Sequence, residues 1–208
     1  MKLFYAPGAC SIGIHVLLEE IGAPFDTQRI NIREGEQFAD GYVAINPKSK
    51  VPSLLRDDGS LLTEFPSIAF WLARTNPEKG LLGDSLEEQT RALEIVDFVV
   101  STIHMQGFSR IFRASKFTPR AEDEAWVQER GKDIARNAFK VIEKLLTGKT
   151  FALGDKFTIA DAALFYVLFW ACDRVKLELP EHCTAYYARL KSRPSVVAVL
   201  AREQIVIT

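Results

Sequence analysis

The sequence predicts a small mixed α/β segment followed by an all-helical one, and three observations carry that prediction. Residues 1–75 alternate short apolar runs with amphipathic ones and contain one strong hairpin turn. From Ser85 onward there is no convincing strand until the last few residues. Between the two lies Asn76–Ser85, where Pro77, Gly80 and Gly83 read as a linker. The expected division is therefore 1–76, a linker at 77–85, and 86–208.

Taken in order, Lys2–Ala6 is a short apolar strand stopped by Pro7-Gly8. Ser11–Ile21 carries apolar residues at 14, 17, 18 and 21 and stops at Gly22, the pattern of a helix with a glycine C-terminus. Phe25–Ile32 reads as a second strand, and the polar stretch to Ala44 leaves room for a short helix. Ser53–Arg56 and Ser60–Thr63 flank Asp58-Gly59, a hairpin turn by composition. Pro66–Arg74 is a further helix, closed by Asn76-Pro77. The order β-α-β-(α)-β-β-α joins a parallel crossover to an antiparallel hairpin.

In the second half, Leu86, Leu93, Val96, Val100 and Ile103 share one face of a helix of about five turns. Ala121–Leu146 repeats the rhythm with Ile134, Ala138, Val141, Ile142 and Leu145. Thr158-Ile159-Ala160-Asp161 is a capping box. It opens Ala162–Cys172, apolar on every side and so the expected buried central helix. Shorter helices near Cys183–Lys191 and after Pro194 complete a bundle.

Composition narrows the function classes. Twenty-six Lys and Arg against 27 Asp and Glu leave a net charge of -1, with no electrostatic footprint for nucleic acid. The first residues meet Pro7-Gly8 too early for a signal peptide. The longest apolar run, Ala162–Cys172, falls short of the ~20 residues a membrane span needs. Three scattered cysteines make neither a disulfide framework nor a metal site, which fits a reducing cytoplasm.

Three places can carry chemistry. Cys10-Ser11 opens the first helix, where unpaired N–H groups and the positive end of the dipole lower a thiol pKa; equally, Ser11 is a good N-cap and Cys10 a small filler there. Val51-Pro52 precedes a strand, and a cis bond there would turn the Val51 backbone outward, free to pair with an extended peptide. Thr63-Glu64-Phe65-Pro66-Ser67 hands a strand to a helix, so a carboxylate and free N–H groups together suit an amino-acid head group.

This ordered set resembles the glutathione transferases over essentially the whole chain, and the opening Met-Lys-Leu-Phe-Tyr-Ala-Pro-Gly-Ala-Cys-Ser is most like the bacterial beta class. Asn46-Pro47 followed by Val51-Pro52 is similar to the family's cis-proline segment, and Leu153–Asp161 to its capping box and staple. The resemblance implies a thioredoxin-like first domain, an all-α second domain, glutathione as co-substrate, no metal, and a homodimer. It implies that Cys10, Ser11 or Tyr5 contacts the glutathione sulfur and that Val51 and Pro52 hold the cysteinyl backbone. Glu64 and the N–H groups of Phe65 and Ser67 would hold the γ-glutamyl end. Asp97, Ser101, His104 and Phe108 step along one face opposite the apolar one. Within that stripe the resemblance makes His104 an assistant to the thiol and adds Asp97 to the glutathione site. The electrophile would lie against Pro7, Gly8, Phe108, Ile111 and Phe112.

Two departures stand out. Phe65 occupies a place where the family usually has Ser or Gly, and the loop Asn31–Gln37 offers Arg33 but no lysine. Three functions remain open on these residues. The first is transfer of the glutathione thiolate to small hydrophobic electrophiles. The second is glutathione-dependent thiol–disulfide exchange or peroxidase chemistry through Cys10, and the third a non-catalytic binding member of the fold. His15 and His182 read as surface or partly buried histidines, and Cys172 and Cys183 as inert thiols.

Overall fold

A computed structural model describes residues 1–207; Thr208, the last residue of the expected helical region, lies outside them. Four strands form one mixed sheet in the order β2-β1-β3-β4: β1 Lys2–Tyr5, β2 Asp26–Arg29, β3 Ser53–Leu55 and β4 Leu61–Thr63. β1 runs parallel to β2, with Leu3 opposite Thr27, and antiparallel to β3, with Leu3 opposite Leu54. Period-two alternation sends Leu3 and Tyr5 into the main core and Phe4 into a small cluster with Ile30 and Tyr42.

Helix α1, Ser11–Ile21, ends as the sequence requires: Gly22 adopts φ 72° and returns its N–H to the Leu18 carbonyl. A short α2, Asp40–Val43, and α3, Phe65–Thr75, complete the first half. The linker is packed, since Leu81 and Leu82 are buried and the Leu81 carbonyl accepts from the Ile159 N–H at 2.8 Å.

The long helix after the linker departs from a regular α-helix. It runs as α4, Leu86–Phe98, then a π-helical stretch, Val99–Phe108, then α5, Ser109–Phe112. Bonding from i to i+5 turns the chain less per residue, so the phase read from a 3.6-residue period is lost after Val99. The buried face is Ala92, Ile95, Val96, Val99 and Ile103, whereas Leu86, in the first turn, is 81% exposed. The same shift carries Phe108 fully inside instead of along the expected polar stripe.

The remaining helices are α6 Glu124–Leu146, α7 Ile159–Phe169, α8 Glu181–Lys191 and α9 Pro194–Arg202, with a second π-helical stretch at Trp170–Val175. In α6, Ile142 is buried and its neighbour Val141 exposed. Every residue of α7 is buried. Its cap holds: Asp161 accepts from the Thr158 N–H at 2.7 Å and the Ala152 N–H at 2.8 Å, and from the Tyr186 hydroxyl. No strand forms at the C-terminal end of the described residues.

One apolar core runs through both halves, from Leu3, Leu54 and Ile68 to Phe139 and Phe165. Helix α1 packs on α7 and α9, and α3 on α4. The α1–α7 approach depends on Gly13. A Cβ there would lie 2.6 Å from the Ala162 carbonyl and 2.8 Å from the Phe65 ring.

Candidate active site

The first wall of the site is built from chain ends. Cys10 is the N-cap residue of α1, and its thiol donates to the Val51 carbonyl at 3.5 Å. The Val51–Pro52 bond is cis. Ahead of it, the Lys50 carbonyl accepts from the Tyr42 hydroxyl at 2.7 Å and from the Asn46 side-chain amide at 2.8 Å, so buried Asn46 fixes this segment. Glu64 sits at φ 68° and ψ 129°, a strained backbone for a residue with a side chain. Its carboxylate is exposed and paired with Lys48 at 2.8 Å. Beside it, the first-turn N–H groups of Phe65 and exposed Ser67 have no intrahelical partner.

The second wall is aromatic. Trp170 is its hub, with ring centroids 4.8 Å from His104, 4.9 Å from Tyr166, 5.4 Å from Phe108 and 5.5 Å from Phe112. Phe108 stacks on Phe112 at 5.7 Å, and Phe112 is 47% exposed. The Tyr166 hydroxyl lies 3.4 Å from His104 Nδ1. Both π-helical stretches thus supply this wall: His104 and Phe108 from one, Trp170 from the other.

Electrostatics set the proton inventory. Burial pushes the Cys10 thiol up to about 12, against the backbone N–H groups of Cys10 and Ser11 and the Arg113 charge, which pull it down. The expected low-pKa thiol is therefore overturned: desolvation outweighs the helix start. Burial, with the Arg113 and Lys50 charges, brings His104 down to about 4, so it is neutral at physiological pH. Burial holds Tyr166 well above its ordinary value. A buried phenol hydrogen needs an acceptor, and Nδ1 of His104 is the one present. With the phenol as the donor, the imidazole hydrogen sits on Nε2.

Several expected site residues lie elsewhere. Ser11 is fully buried and is the first helical residue instead of the cap; its hydroxyl donates to the Ala6 carbonyl and accepts from the Ala6 N–H, both at 3.2 Å. Its single O–H donor is thus already engaged. Tyr5 packs its ring 5.5 Å from His15, and burial and the Glu203 charge raise its pKa. It belongs to a cluster beneath the loop. Ile111 packs on α6, its side chain 2.9 Å from where a Cβ on Gly131 would stand. Asp97 is exposed on α4, where its carbonyl accepts from Ser101. Phe65 leaves the ligand side altogether: its ring is buried, 5.2 Å from that of Tyr166.

Pro7 and Gly8 reveal a clamp that local sequence does not signal. Gly8 donates its N–H to Glu203 at 2.8 Å and accepts at its carbonyl from the Trp170 indole at 2.7 Å. The other Glu203 oxygen meets His15 Nδ1 at 2.9 Å, and both side chains are sealed from solvent, so His15 is no surface histidine. Gly8 itself has φ 69°, and a Cβ would come 2.7 Å from the Arg174 side chain. Tyr166 and Trp170 had a signal that went unused. They are the two donor-bearing rings in an otherwise featureless apolar run, and buried donors require partners. Among the described residues no cluster of His, Cys, Asp and Glu is arranged to hold a metal ion.

A mixed four-stranded sheet followed by a helical bundle, with a thiol at the helix start facing a cis-proline segment, is the two-part architecture that the resemblance to the glutathione transferases implies. Comparison with known proteins agrees. Residues 8–75 match the glutathione S-transferase N-terminal domain and residues 124–189 the C-terminal domain. The chain is 36% identical to glutathione S-transferase GstA of Escherichia coli O157:H7 over 98% of each chain. Its fold is similar to the bacterial beta class glutathione S-transferase of Sphingomonas chungbukensis, with 33% identity, TM-score 0.85, and 99% of this chain and 100% of that one covered. A sphingomonad glutathione S-transferase complexed with glutathione matches with 31% identity and TM-score 0.84, over 99% and 100% of the two chains. The chain belongs to the glutathione S-transferase family.

Proposed function

We propose that this chain stabilises the thiolate of bound glutathione and transfers its sulfur to small hydrophobic electrophiles held against the aromatic wall. The observation that carries the reading is a pair of neutral donors at one junction, the Cys10 S–H and the His104 Nε2–H. In the complex the Cys10 S–H turns from the Val51 carbonyl to the glutathione sulfur and, with the His104 Nε2–H, favours the anion, which is the attacking form. The glutathione proton leaves to solvent. With an aryl chloride, the carbon–sulfur bond forms, the carbon–chlorine bond breaks, and chloride departs with the electron pair.

In this reading residues 1–76 hold glutathione through the Val51 backbone, Glu64 and the start of α3, while residues 86–208 supply His104 and the electrophile surface. The protonated Cys10 argues against disulfide exchange, which needs Cys10 itself as a thiolate. The non-catalytic reading loses one of its two motives, because the Phe65 ring fills the core and leaves its N–H at the helix start; the loop Asn31–Gln37 still offers Arg33 and no lysine. We further assign a homodimer, supported by the exposed apolar Phe70 and Leu86 on the mutually packed α3 and α4, and a detoxifying role in the cytoplasm. No helix among the described residues is long and apolar enough to cross a membrane.

The test is turnover of 1-chloro-2,4-dinitrobenzene with glutathione by the purified protein, together with mass spectrometry after oxidised glutathione at neutral pH. Turnover without an adduct at Cys10 is expected. An adduct at Cys10 with reductase turnover and no conjugation would replace this reading by the exchange reaction.

A further inference from the structure

Arg113 closes α5 immediately after Phe112, in a non-helical conformation with φ -142° and ψ 48°. It thus stands at the rim of the aromatic wall, one residue from its most exposed ring. Its neighbours in sequence are engaged: Arg110 stacks 4.5 Å over Phe117 and bonds Gln106, and Arg120 pairs with Asp123. The Arg113 backbone bonds Ser109 and Lys116, but its guanidinium has no hydrogen-bond, ion-pair or ring partner among the described residues. Its charge acts on both Cys10 and His104, lowering the pKa of each, in keeping with its place beside Phe112 at the rim. A second cation, Lys50, reaches His104 from the opposite wall. The one acidic group whose charge reaches Cys10, that of Glu64, is already paired with Lys48.

The site thus joins an aromatic surface to uncompensated positive charge. Such a surface binds a planar ring, and the planar guanidinium fork matches a carboxylate or sulfonate on that ring. We propose that Arg113 makes the electrophile subsite selective for aromatic electrophiles bearing a negative charge. This rests on the transferase reading above and deepens it, since a purely apolar subsite would favour the neutral ring.

Steady-state kinetics with saturating glutathione test it, comparing neutral 1-chloro-2,4-dinitrobenzene with anionic 4-chloro-3,5-dinitrobenzoate in the parent and in Arg113→Gln, Arg113→Lys and Arg113→Glu. Arg113→Gln is expected to lower kcat/KM for the benzoate about tenfold to a hundredfold more than for the neutral ring, through KM. Arg113→Lys recovers part of the loss, Arg113→Glu deepens it, and raising salt from about 0.05 to about 0.5 M compresses the difference. Unchanged thermal midpoints confirm folded variants. An equal effect on both electrophiles overturns the proposal. So does a rise in KM for glutathione alone, which would place Arg113 on a glutathione carboxylate. Turnover of the neutral ring with no use of the benzoate overturns this proposal alone, whereas no turnover of either overturns the transferase reading with it.

Discussion

The two walls of the site are made of different material. The wall from the first half is backbone: a helix start at Cys10, a cis peptide at Val51–Pro52 and a left-handed Glu64 ahead of α3. The wall from the second half is side chains, with His104, Phe108, Phe112, Tyr166 and Trp170 packed ring on ring. Backbone groups recognise what every glutathione molecule shares, and replacing side chains leaves them in place. Side-chain walls are rewritten by single substitutions. The difference teaches where specificity for the second substrate can change without loss of the first.

The largest expected break in that comparison comes from the residue that joins the walls. Phe65→Ala removes a buried ring between α1, α3 and α7 and is expected to cost about 3–5 kcal/mol in thermal or denaturant unfolding. Its effect on glutathione KM should be the smaller one. Next, if His104 is one of two donors to the sulfur as proposed, His104→Ala should lower kcat/KM about a hundredfold. Tyr166→Phe should give a smaller loss, because it frees the imidazole tautomer without removing the ring.

His104 also makes a stability prediction. Its folded pKa, about 4, lies below the ordinary histidine value, so between these values the unfolded chain binds a proton that the folded chain does not. Stability is complete above the ordinary value and falls with pH, by about 2 kcal/mol between pH 7 and pH 5. Urea titrations should show that slope in the parent and lose it in His104→Asn. Cys10→Ala should lower neutral-pH kcat/KM about tenfold and move the acid limb of the rate profile to higher pH, while Cys10→Ser keeps a donor and most of the activity. The smallest effect belongs to Phe112→Ala, a half-exposed rim ring, which should raise KM for the electrophile a few-fold and leave that for glutathione in place.

Much of the first wall was legible in the sequence because its signals are local. Gly22, the Asp58-Gly59 turn and the proline after Val51, like the Thr158–Asp161 box in the second half, each act within a few residues, and each stands where its chemistry puts it. The second wall was harder. A regular 3.6-residue phase cannot foresee π-helical turns, so it set Phe108 on the polar stripe and gave Ile111 to the substrate. Ser11 satisfied every local rule for a cap but found a better pair of partners in Ala6. The lowered thiol pKa followed from the helix start alone, and failed because desolvation by tertiary packing is invisible to a dipeptide.

The clamp on Gly8 has a consequence in time. Its partners Trp170 and Glu203 stand 162 and 195 residues downstream. On the ribosome the loop bearing Cys10 is among the first pieces made, and it leaves the exit tunnel long before either partner exists. Until the end of α7 packs, that loop lacks the Trp170 bond, and until α9 docks on α1 it lacks the Glu203 bond as well. The loop ahead of Cys10 therefore takes its final shape late, as a property of the finished fold, and a nascent or truncated product carries the cysteine on a loop not yet held in place.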